Sequence, residues 1–95
     1  MGRKERLEKL RQWAGSDLDG LSQPIDIAPY SFLGSKKHYY EYREVCFDSF
    51  RRRVEEESRK RFGMSAQVAK GDAKDVFDFY EVRLSKVVEE RWKNA

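Results

Sequence analysis

Apolar residues recur along this chain with the period of an α-helix in three stretches and lose that period in a fourth. In residues 3–14, Leu7, Leu10 and Trp13 fall on one side among charged neighbours, and Gly15 offers a stop. A helix this short is marginal in water, so its apolar stripe needs a surface to sit on. The rest of the same domain is the expected surface, since Glu5 and Glu8 weaken attraction to an anionic membrane. From Ser35, a suitable N-cap, to Phe62 the chain runs without Pro or Gly and predicts one long helix over 35–62. Tyr39, Tyr42, Cys46, Phe50 and Val54 follow one another at spacings of three and four, with Tyr40 and Phe47 widening the face.

A polar loop is expected over 63–71, followed by a third helix over 72–93 with Asp72 as N-cap and Asp75 three residues on. Val76, Phe77, Tyr80, Leu84, Val87, Val88 and Trp92 form its stripe, while Phe79 and Val82 lie off it and make the apolar surface wider than one neighbour covers. A short connection between two long helices predicts an antiparallel hairpin. Its expected seam contains Tyr42, Cys46, Phe50, Val54, Phe77, Tyr80, Leu84 and Val88. The fold class is therefore all-α: a short N-terminal helix, a long extended arm, then the hairpin, as one domain over 1–95.

The arm, residues 15–34, is where helical periodicity fails. Gly, Pro, Ser and Asp interrupt it, and Pro24 and Pro29 favour an extended course. Yet Ile25, Ile27, Tyr30, Phe32 and Leu33 supply more apolar anchors than a flexible linker needs. Such a segment is expected to lie pinned along a surface, of this chain or of a partner.

Charge changes the picture in one place. In residues 51–61, RRRVEEESRKR, each glutamate has a basic residue four positions away on both sides: Arg51–Glu55–Arg59, Arg52–Glu56–Lys60 and Arg53–Glu57–Arg61. Pairs at that spacing support a helix with little core beneath it, so the block is expected to project into water. Across 95 residues, charged and hydrophobic side chains each make up 39%, aromatic ones 14%, and the net charge is +3. So high an aromatic content is not that of a disordered polar chain, and the positive balance favours acidic partners only weakly because opposite charges interleave.

Candidate chemistry is sparse. GSDLDGLS from Gly15 has glycines at phosphate-loop spacing, but Leu21 stands where the lysine belongs. Asp17, Asp19 and Gly20 start like a calcium loop, with the glycine too early and no closing glutamate. His38 and Cys46, the single imidazole and single thiol, are eight residues apart on one predicted helix, about 12 Å, and form no nucleophile–base pair. One cysteine allows no internal disulfide, and no apolar run reaches the roughly 20 residues that span a bilayer. The opening Met-Gly lacks the Ser or Thr of a myristoylation signal, Arg6 taking that place.

These features predict no enzyme, no cofactor, no metal, no small-molecule substrate and no membrane span. They suggest an accessory or adaptor subunit docking on a larger protein assembly, such as an organelle complex, through the arm anchors Ile25, Ile27, Tyr30, Phe32 and Leu33. An intracellular setting, cytoplasm or mitochondrial matrix side, is expected. The alternative is nucleic-acid binding, with Arg52, Arg53, Arg59, Lys60 and Arg61 on phosphates and Tyr39, Tyr40 and Tyr42 stacking on bases.

Overall fold

Four helices make up a computed structural model of the chain, which describes residues 1–25 and 38–94. They are α1 (Arg3–Gly15), α2 (Leu18–Leu21), α3 (Tyr39–Phe62) and α4 (Ala66–Lys93), with no strand among the described residues. Ser35 and the arm residues Ile27, Tyr30, Phe32 and Leu33 lie outside the described residues.

The turn between the two long helices is set by two residues. Gly63 takes the left-handed conformation at φ 66°, which glycine adopts without a Cβ penalty, and the Gly63 and Met64 amides donate to the Arg59 and Ser58 carbonyls. Ser65 then caps the next helix, its Oγ accepting from the Val68 amide at 3.3 Å. Helix α4 consequently begins at Ala66 rather than at Asp72, and most of the expected 63–71 loop is helical. Gly71, which read as a loop residue, sits inside α4 despite costing a helix interior about 1 kcal/mol relative to alanine.

The hairpin is antiparallel: Tyr42, near the start of α3, stacks on Trp92, near the end of α4, at 5.0 Å, and Ser58 reaches Asp72 at the opposite end. Between them, Phe47 and Phe50 meet Phe77 at 5.0 and 6.4 Å. All eight residues of the predicted seam are buried, with Cys46, Phe50, Val54, Leu84 and Val88 wholly inaccessible.

Helix α1 closes one side of this pair by burying Leu7, Leu10 and Ala14, with Trp13 partly covered. The Tyr80 hydroxyl donates to the Arg11 carbonyl at 2.7 Å, and it lies where a Cβ on Gly15 would stand. Gly15 is the last residue of α1, where the sequence placed the stop, and it also permits this close approach. Within the predicted arm, α2 is a single helical turn whose first residue is preceded by Asp17, the side chain of which accepts from the Gly20 amide at 3.0 Å.

Candidate functional site

The root of the arm is held by two arginines from the hairpin. The last carbonyls of a helix have no partner inside it, and those of α2 and its exit accept from Arg53 of α3: Nη1 lies 3.1 Å from the Gly20 oxygen, 3.0 Å from that of Leu21 and 2.6 Å from that of Gln23. Arg91 of α4 works from the other side. Its Nη1 donates to the Asp19 carbonyl at 3.1 Å, and its Nη2 to the Ser22 carbonyl and hydroxyl at 3.1 and 2.9 Å. Positive charge at a helix C-terminus also meets the favourable end of the backbone dipole. Ser22 is fully buried as a result. One step further, the Ile25 amide donates to Ser49 Oγ on α3 at 3.1 Å. Ile25 itself remains 52% exposed, at the edge of a groove lined by Val45, Asp48, Ser49 and Arg52.

Arg53 is therefore an internal clamp, which removes it from the set read as a docking or phosphate-binding cluster. Of the others, Arg52 pairs with Asp48 at 3.0 Å, Lys60 with Glu56 at 2.5 Å and Arg61 with Glu57 at 3.9 Å. The hydrogen bond between Lys60 and Glu56 holds the ammonium above its usual pKa and the carboxylate below its own. Arg59, like Arg53, makes no ion pair among the described residues. The expected Glu55 pairs with Arg51 and Arg59 do not form; Arg51 lies instead over the Phe77 ring, 4.6 Å from its centre. The block is also less solvated than its charge suggests, since Val54 and Ser58 are wholly buried.

The tyrosines divide in the same way. Tyr42 is core, Tyr39 packs on Trp92 at 5.9 Å, and Tyr40 alone is broadly exposed, 66%, with Arg43 over its ring. Tyr40 and Lys60 stand twenty positions apart on one helix, roughly 30 Å at 1.5 Å per residue. Stacking and phosphate contacts would have to occur at opposite ends of the molecule.

Beneath the charged block lies a polar contact that sequence reasoning missed. Asp72, read as an N-cap, is 2% exposed and accepts from two nitrogens of Arg6, Nε at 2.8 Å and Nη2 at 2.9 Å, and from the Ser58 hydroxyl at 2.7 Å. Burial alone would push its carboxyl up; the donors from Arg6 and Ser58 outweigh it and hold the pKa below the ordinary value. One carboxylate thereby joins α1, α3 and α4. The available signal was its phase: Ala69, Asp72, Val76 and Tyr80 continue one stripe at spacings of three and four once the helix is extended backwards.

Cys46 is buried, and that burial pushes its thiol up so that it stays protonated at neutral pH. His38 faces Glu41 at 3.2 Å. No group of three metal-ligating side chains occurs among the described residues, and no described helix is long and apolar enough to cross a membrane. The chain matches no known protein-family model, no curated protein and no solved structure. Its functional reading rests on its own residues.

Proposed function

We propose that this chain is a non-catalytic accessory or adaptor module that docks on a larger protein assembly through its arm. The observation that carries the reading is the arm root: Arg53, Arg91 and Ser49 fix residues 19–25 to the hairpin, yet the side chain of Ile25 is left half in water. A segment tethered this firmly arrives at a partner with part of its ordering entropy already spent. Ile27, Tyr30, Phe32 and Leu33 follow in the sequence and are of the apolar and aromatic types that anchor interfaces.

The nucleic-acid reading is weaker on these grounds. Arg53 is committed to backbone carbonyls, Arg52, Lys60 and Arg61 already face carboxylates, and Glu55 and Glu56 stand beside Arg52, Arg59 and Lys60 in the same groove. A phosphate approaching there meets two carboxylates among the four cations Arg52, Arg59, Lys60 and Lys70.

The test is purification of the tagged chain from its native cells, with and without nuclease, beside a variant carrying Ile27→Ser, Tyr30→Ala and Phe32→Ala. The proposal predicts a protein partner that survives nuclease and whose affinity falls by about 30-fold or more in the variant, the scale of losing interface hot spots. Loss of every partner on nuclease treatment, or full retention by the variant, overturns it.

A further inference from the structure

Phe79 and Val82 stand on the outward face of α4, 58% and 71% exposed, one turn apart. Helix α1 packs on another side of α4, through Arg6 to Asp72 and Tyr80 to the Arg11 carbonyl, and reaches this face only with the side chains of Arg3, on Asp75, and Arg11, over the edge of the stripe at the Phe79 ring, 4.9 Å from its centre. Asp75, Phe79, Val82 and Lys86 follow at spacings of four, three and four, which keeps them in one stripe. Charge along the stripe changes sign about its apolar centre: Asp75 stands one turn before Phe79 and Lys86 one turn after Val82. Beside them Lys74 and Glu89 repeat the reversal with opposite polarity, and both are exposed.

This arrangement is complementary to itself when a second α4 lies antiparallel across it. With a two-fold axis passing midway between Phe79 and Val82, Phe79 of each copy lies against Val82 of the other. Asp75 then opposes Lys86 of the second copy, and Lys74 lies two positions, about 3 Å along the axis, from its Glu89, within reach of the lysine stem. The parallel arrangement sets Asp75 against Asp75 and Lys86 against Lys86, so charge selects the antiparallel one. The apolar spot also sits near the middle of the 28-residue α4, about 42 Å long, so two such helices overlap along nearly their whole length. Toward one end of the overlap are Val68, 41% exposed, and Gly71, where no atom lies within 4 Å of a Cβ position; both leave room for the long side chains of Glu90 and Lys93 from the second copy.

We propose that the Phe79–Val82 face of α4 binds a second copy of this chain as an antiparallel, two-fold symmetric pair. One helix-on-helix contact buries less than the roughly 1,600 Å² of a standard stable complex, so the dimer is a weak, concentration-dependent one. Asp75 and Lys74 already have intrachain partners in Arg3 and Asp78. The cross-pairs accordingly set direction and register more than affinity. This surface is separate from the arm, and its test reads self-association alone.

Sedimentation equilibrium of the whole chain, from about 10 μM to about 1 mM, covers the affinities expected of such a contact. The weight-average mass should climb from 11.3 kDa toward twice that value. Val82→Glu should remain a monomer throughout, with unchanged circular dichroism because Val82 touches no core. Lys86→Asp should weaken the dimer at least tenfold, and adding Asp75→Lys to it should restore most of the loss. The swap Lys74→Glu with Glu89→Lys, which disturbs only pairs within α4, should likewise dimerise better than Lys74→Glu alone. A wild-type chain monomeric at the highest concentration overturns the proposal. So does a dimer indifferent to Val82→Glu, or a folded double swap no better than its single parent.

Discussion

Asp72→Ala should lower the stability of the chain by about 3–5 kcal/mol, a large part of the roughly 5–15 kcal/mol that holds a domain of this size together. The loss comes from what the substitution leaves behind. Arg6, with its side chain 10% exposed, keeps a buried charge without a counter-ion, and the Ser58 hydroxyl loses its acceptor. Replacing Arg6 and Asp72 together by Met and Leu should cost less than Asp72→Ala alone, because no unpaired charge remains. Acidity gives a second readout. The folded pKa of Asp72 is depressed, so its contribution is complete above the unfolded carboxylate value of about 3.9 and is lost as pH falls below it toward the folded value. The stability difference between wild type and Asp72→Asn, from urea titrations at a series of pH values, should therefore be largest near neutrality and shrink in acid. A difference independent of pH would show that the carboxylate is not held ionised by Arg6.

Phe50→Ala should cost about 3–5 kcal/mol. Phe50 is wholly inaccessible and packs beside Phe77 in the α3–α4 seam, within the single buried core. The control is Phe79→Ala on the same hairpin: with its ring 58% exposed, that variant should unfold within about 0.5 kcal/mol of wild type. Denaturant midpoints of the two variants, at equal slopes, measure the contrast. Midpoints that move together would refute the assignment of inner and outer faces.

The hairpin could be read from sequence because its signal is dense. Tyr42, Cys46, Phe50 and Val54 on one helix and Phe77, Tyr80, Leu84 and Val88 on the other repeat at helical spacing for just over three turns each, and burial of those stripes dominates every local preference. The start of α4 was illegible for the opposite reason. Ser65 to Gly71 offers one buried residue, Ala69, and a glycine, Gly71, that reads as a loop, while the helix is set by a cap and by Asp72, whose partner Arg6 is distant in the chain. The clamp was hidden likewise. Arg53 has Glu57 four residues on, and nothing local reveals that its guanidinium turns to the carbonyls of residues 20, 21 and 23. Ion pairs between neighbours on a helix are exposed and weak, so an arginine with a desolvated carbonyl cluster in reach goes there instead. Sequence spacing finds which charges can pair; it does not find which have a better offer across the fold.

If the arginines of α3 and α4 support a protein-binding arm, as proposed above, the charged block does not read phosphates. That expectation is tested most directly by titrating the purified chain with duplex and single-stranded nucleic acid across a range of salt concentrations, beside a variant carrying Arg52→Gln, Arg59→Gln and Lys60→Gln. Each phosphate neutralised by a cation releases counterions and steepens the salt dependence. The account predicts binding no tighter than the non-specific range of about 10⁻⁴ to 10⁻⁶ M at physiological salt, little changed in the variant. Submicromolar binding with a steep salt slope, flattened in the variant while its fold stays intact, would contradict it.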